Sequence, residues 1–323
     1  MVRAADEAEA NSDSFSSKAP HLPTLSKSEL IGNSFILFFA GHETSANSIH
    51  FSILLLAMHL DSQRKMQADI DSIIGRGKPI SEFSYHSDMP RLFNSMVGAV
   101  LNEQLRLIPA TLSVPKVANG DQIVTMDGRE FVIRDGTSIQ LNVVGTNRNP
   151  RYWPSAPSKV TPGTNDLDDF VPERWLRTQV DPRAEKATPH KETEAPDGLE
   201  QTSFDTTAPG SLFKPVKGSF LTFSEGMRAC PGRRFAQVEV TAVLSAIFQR
   251  YSVELDVSDW ASDAELDLME IDGRGEVYQQ ATERARRIIK RCEQRLITLQ
   301  LKPGDHVPVR FVERGKERFA GFL

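Results

Sequence analysis

The sequence predicts a mainly α-helical fold with small β-sheets, and three observations carry that prediction. Apolar residues recur at helical spacing over several long stretches. The strand signals are short and sit around turn residues. Their order along the chain lacks the strand–helix alternation of a doubly wound fold.

Ser26, Ser28 and Glu29 look like a capped start for a helix running to about Leu60. Residues 61–74 place Met66, Ile70, Ile73 and Ile74 on one helical face, and Gly75 stops them. A helix over Phe93–Leu107 follows, with Met96, Val97, Val100, Leu101, Leu105 and Leu107 on a broad face and Pro109 at its end. The period then changes. Residues 122–136 read as two strands around an Asp127-Gly128 turn, and 137–144 as a further short strand. Residues 238–251 form an apolar helix and 277–292 a charged one. Residues 296–314 read as a last hairpin turning at Lys302 to Asp305. Residues 1–27 are expected to be a polar, disordered N-terminus, and 177–217 a Pro-, Thr- and acid-rich insertion of low order, because neither buries enough apolar surface to offset ordering.

The net charge of -5 supplies no basic field to hold a polyanion, so nucleic acid is not an expected partner. Two cysteines, Cys230 and Cys292, cannot make a disulfide framework, and a reduced compartment fits better. Residues 1–27 have no apolar centre, so they are neither signal peptide nor anchor. Leu30 to Leu60 is broken by Asn33, Gly41, His42, Glu43, Thr44, Asn47 and His50 and never reaches the roughly 18 apolar residues of a membrane span. A buried helix is the better reading, yet Gly41 weakens it and an uncompensated Glu43 is costly to bury.

Cys230 lies in a glycine-rich loop between Gly226 and Gly232, just ahead of a helix. Backbone N–H groups, the positive helix end and Arg228 would favour its thiolate. A lone cysteine is ordinarily a small buried hydrophobe; this setting argues for a ligand. His42 and Glu43 also begin the zinc motif His-Glu-x-x-His, but its second histidine position is Ala46, which rules the motif out.

The run Phe-x-x-Gly-x-Arg-x-Cys-x-Gly, Phe223 to Gly232, resembles the haem-thiolate loop of cytochrome P-450 monooxygenases. Three further segments resemble the same family in the same order: Ala40-Gly41-His42-Glu43-Thr44, Glu103-Gln104-Leu105-Arg106 and Pro172-Glu173-Arg174-Trp175. The likeness implies a cytochrome P-450-like fold and a haem b ligated by the Cys230 thiolate. It also implies propionate contacts from Arg228 and Lys116, and a buried triad of Glu103, Arg106 and Arg174 that braces the haem loop. Phe223, Gly226 and Gly232 would shape that loop. Asn147 stands where relatives often have histidine, which weakens one propionate contact.

The physics of the first helix fits this expectation. Gly41 leaves room for a porphyrin face, and Thr44 can bond back to the Ala40 carbonyl, opening a small polar groove. Glu43 and Thr44 would form an acid and alcohol pair that conducts protons to bound dioxygen. The resemblance further implies insertion of one oxygen atom from O2 into a small apolar organic substrate. Electrons would come from NADPH through a flavoprotein reductase. Full-length members would sit on the cytosolic face of the endoplasmic reticulum, held by an N-terminal anchor. In the family this helix lies past the middle of the chain, so the sequence reads as the haem-proximal C-terminal part, fungal-like. An inactive or haem-binding-only fragment is the alternative reading. Phe35, Ile36, Phe38 and Phe39 would then leave an exposed apolar patch.

Overall fold

The computed structural model describes residues 25–176, 212–295 and 298–319. Most of the polar N-terminus and of the 177–217 segment lie outside the described residues. Helix α1, Lys27–Met58, starts in a capping box: the Ser26 hydroxyl accepts from the Glu29 N–H while the Glu29 carboxylate accepts from the Ser26 N–H. Its two halves differ. Phe51, Leu54, Leu55, Leu56 and Ala57 are buried in the core, whereas Phe35, Ile36, Leu37, Phe38 and Phe39 are exposed. The chain turns at His59 straight into α2, Leu60–Ile74, which buries Met66, Ile70 and Ile74 and stops at Gly75 in the left-handed region.

A short helix that was not expected, α3, Asp88–Phe93, comes next, and the helix expected over Phe93–Leu107 forms as α4, Met96–Leu107, starting three residues later than expected. The start of α4 is fixed by one neighbouring and one distant partner. The Ser95 hydroxyl accepts from the Val97 N–H, and the Asp69 carboxylate of α2 takes the Met96 N–H at 2.7 Å, so a new helix start is capped from two sides. Gly98 lets the α3 end come close: a methyl there would lie 1.8 Å from the Phe93 carbonyl oxygen. Every residue of α4 is buried, Glu103 and Arg106 included. Such a helix must pair its charges internally.

Strands β1, Ser113–Val117, and β4, Ser138–Asn142, pair antiparallel, and β2, Gln122–Met126, and β3, Arg129–Ile133, form the expected hairpin. Asp127 (φ 49°) and Gly128 (φ 75°) both have the positive φ that a two-residue turn of matching twist requires. A short helix α5, Val143–Thr146, follows β4. Leu176 and Leu212, at the ends of the undescribed segment, bridge each other.

Helix α6, Arg233–Arg250, packs on α1, α2 and α4 and runs into β5, Tyr251–Leu255. After β5 come α7, Asp263–Leu268, and α8, Ile271–Ile289, which buries Val277, Tyr278, Ala281, Ala285 and Ile288 along one face. The Tyr278 hydroxyl donates to the Ala57 carbonyl and accepts from the Leu255 N–H, tying α8 to α1 and β5. The C-terminal strands correct the expected hairpin over 296–314. The turn forms, with the Asp305 N–H on the Lys302 carbonyl, but β7, Thr298–Gln300, pairs with β6, Glu293–Arg295, and β8, Val309–Glu313, pairs with β5. Gln63 of α2 satisfies both the N–H and the C=O of Val253, so β5 has one edge closed by α2 and offers the other to β8. That long-range partner leaves no periodic trace near residue 309. The observed architecture is a helical core with four two-stranded sheets among the described residues. Among those residues, no helix is long and apolar enough to cross a membrane.

Candidate functional site

The Glu103 carboxylate, fully buried on α4, is the most heavily bonded acid of the site. Arg106 forks onto it through Nε at 2.7 Å and Nη2 at 2.8 Å, and Arg174 adds Nε at 2.9 Å. The Trp175 indole N–H (2.8 Å) and the Val171 N–H (3.1 Å) complete its shell. Burial pushes the Glu103 pKa up, but Arg106, Arg174 and the Trp175 N–H outweigh it, and the acid is held below its ordinary range. The two guanidiniums reach onward: Arg106 Nη1 donates to the Leu167 and Asn147 carbonyls, and Arg174 to those of Pro154 and Asp166. The structure therefore joins Glu103, Arg106 and Arg174 and ties them to the loop of residues 147–171. Trp175 enters the sequence reading only as the last residue of its motif, with no role assigned to it; the structure gives it the bond to Glu103.

The C-terminal end of α4 leads towards Cys230. Helix ends leave carbonyls without intrahelical donors, and buried ones need partners. Here the Thr222 hydroxyl donates to the Leu105 carbonyl at 3.0 Å and Arg148 Nη2 to that of Leu107 at 2.6 Å. Asn147 is fully buried between them. Its amide N–H donates to Thr222 Oγ1 at 3.0 Å and reaches the Arg106 carbonyl at 3.5 Å, and its Oδ1 accepts from the Leu221 N–H at 2.9 Å. The histidine-for-asparagine comparison had marked Asn147 only as a weakened propionate contact; in the fold its side chain is spent on the loop before Cys230.

That loop is pinned by its own backbone. The Cys230 N–H donates to the Phe223 carbonyl at 2.8 Å, across a 3-10 turn, Gly226–Arg228, entered by Gly226 at φ 75°. Helix α6 begins at Arg233, behind Gly232. The Cys230 thiol is free and exposed. Arg228 is also exposed, and Lys116 is half-buried on β1, opposite Ile139. Among the described residues neither cation makes an ion pair. Arg233, not singled out beforehand, lies over the Phe223 ring, 5.5 Å from its centroid.

On α1 the Thr44 hydroxyl donates to the Ala40 carbonyl at 2.8 Å, as its position allows. A Cβ at Gly41 would meet nothing within 4 Å. Glu43 is bonded across to the C-terminal strands. Its Oε1 accepts from the Thr298 hydroxyl at 2.6 Å and Gln300 Nε2 at 2.7 Å, and no hydrogen bond joins it to Thr44 among the described residues. Adjacent residues on a helix do not face each other, so the acid turns to β7 while the alcohol turns back along α1. Asn47 donates to Thr298 from the next turn, at 2.8 Å. Thr298 and Gln300 carry no sequence signal for this role, since they lie far along the chain.

A family profile described as cytochrome P-450 matches residues 8–273. The chain belongs to the cytochrome P-450 family. A cytochrome P-450 monooxygenase of Arthrobotrys oligospora is 31% identical over 290 residues, 89% of this chain and 43% of that protein. Cytochrome P-450 monooxygenase 124 of Postia placenta is 29% identical over 236 residues, 72% and 35% of the two chains. Cytochrome P-450 3A13 of Mus musculus is 26% identical over 244 residues, 76% and 38%. The chain thus spans roughly two fifths of the length of the curated relatives it matches.

The P-450 family implies a haem cofactor, and the donor set is compatible with it. One exposed thiol stands on a backbone-pinned loop at a helix start, and Gly41, on a helix against which α6 packs, has open space beside it.

Proposed function

We propose that the chain is the haem-binding portion of a P-450 monooxygenase, with Cys230 as the thiolate ligand. The observation that carries this is the free, exposed Cys230 thiol on a loop fixed by the Phe223 carbonyl and by the α4 end. Haem, when bound, supplies the electron-transfer and dioxygen chemistry. Arg228 and Lys116 would neutralise the propionates of a bound haem, Phe223, Gly226 and Gly232 would hold the shape of the loop that binds it, and the Glu103–Arg106–Arg174 cluster would brace the fold behind it. Glu43, oriented at Oε1 by Thr298 and Gln300, would be the acid of the proton path, and Thr44, whose hydroxyl is held on the Ala40 carbonyl, would be its alcohol. Ala40 holds the Thr44 hydroxyl in place.

The reading extends to one oxygen atom from O2 entering a small apolar organic substrate against the wall of Phe39 to Thr44 and Leu112 to Val114. Electrons come from NADPH through a flavoprotein reductase at the cytosolic face of the endoplasmic reticulum. Haem binding without turnover is the second reading. It is favoured by the exposure of Phe35, Ile36, Phe38 and Phe39, which leaves the apolar wall of α1 open to water. Reconstitution with haem, reductase, NADPH and an apolar probe separates them. Turnover predicts oxidised product from the wild type, and in Thr44→Ala retained haem with electrons diverted to peroxide. Haem uptake with no product from the wild type supports the second reading, and equal coupling in both proteins removes the role of Thr44.

A further inference from the structure

We propose that Asn147 is the positioning residue that transmits the order of the Glu103–Arg106 cluster to the backbone around Cys230. This rests on the reading of Cys230 as the ligand. The geometry is a continuous path. Arg106 holds the Asn147 carbonyl through Nη1, and the Asn147 side chain holds two consecutive residues of the loop, Leu221 by its N–H and Thr222 by its hydroxyl. The next residue, Phe223, supplies the carbonyl that takes the Cys230 N–H.

The residue type follows from the demands of the site. One buried side chain must accept from a backbone N–H and donate to a hydroxyl whose own proton is committed to the Leu105 carbonyl. An amide does both without charge. A carboxylate would accept only, and would add a charge beside buried Arg106. Asn147 also follows α5, whose N-cap is Asn142, so the side chain is delivered from a helix end and not from a free loop. With no solvent exposure, loss of its bonds cannot be made good by bulk water.

The test is amide hydrogen exchange on the haem-free chain, with the carbon monoxide spectrum of the reconstituted chain as second readout. Asn147→Leu, with the same branching and heavy-atom count but no hydrogen-bonding groups, is expected to speed exchange at Leu221 and at Cys230 by about tenfold, the scale of one lost buried bond. Amides of α8 should keep wild-type rates, and part of the thiolate-type Soret band should be lost. Faster exchange at Leu221 with Cys230 unchanged would overturn the proposal, as would uniform acceleration that includes α8. Thr222→Val provides the milder variant should Asn147→Leu not fold: a smaller rise at the Cys230 amide is expected, and none would contradict the path. A wild type that shows no thiolate band would sink the ligand reading, while the exchange result still decides the role of Asn147.

Discussion

Glu103 shows how a residue becomes costly to replace. The acid has lost its water and gained two guanidiniums and an indole N–H, so removing its charge strands Arg106 and Arg174 in the interior. Glu103→Gln is expected to destabilise the chain by roughly 3–5 kcal/mol, the cost of breaking one side of a buried pair. The pH dependence has a definite sign. A carboxyl held below its unfolded value contributes stability that is complete above that value, about 4.3, and is lost as pH falls through the lower folded value. Urea denaturation at a series of pH values should therefore show a steeper acid decline in the wild type than in Glu103→Gln; parallel curves would mean the cluster carries no such linkage. The Glu-x-x-Arg spacing was legible because residues three apart share a helix face. Its burial followed only from the family resemblance and not from the spacing, since it depends on α1, α2 and α6 covering α4.

At the scale of elements, α1 joins a buried anchor to an exposed, glycine-interrupted flank. Gly41 is the position where these demands separate. A methyl there touches nothing in the protein, so Gly41→Ala should raise helix stability by roughly 0.5–1 kcal/mol in the haem-free chain while weakening haem binding. Thermal melts and a haem titration check both halves; unchanged haem affinity would remove the reading of Gly41 as a clearance residue. The elements read most securely from sequence were those with local causes. The Ser26–Glu29 box, the Asp127-Gly128 turn and the Gly75 stop all act within a few residues. Those misread had distant causes. Asp69 caps the start of α4, and Gln63 fixes which edge of β5 receives β8. The back-bond of Thr44 to Ala40 was legible for the same local reason, while the turn of Glu43 to Thr298 and Gln300 depends on a strand some 250 residues away.

For the molecule as a whole, the four motif segments lie far apart in sequence, and the fold relates them through two helices and one loop. Helix α4 carries the acid cluster, its C-terminal end meets Asn147 and Thr222, and the loop they hold ends at Cys230. Helix α6, leaving that loop, packs on α1. The exposed aromatic flank of α1 lies beyond this arrangement, as the resemblance to the C-terminal part of a longer chain had implied. The central claim is that this framework presents Cys230 to iron. The most direct measurement is the absorption spectrum of the chain reconstituted with haem, reduced and exposed to carbon monoxide. A red-shifted, thiolate-type Soret band in the wild type, lost in Cys230→Ser, is the predicted result. The same band persisting in Cys230→Ser, or its absence from a wild type that binds haem stoichiometrically, would contradict the claim.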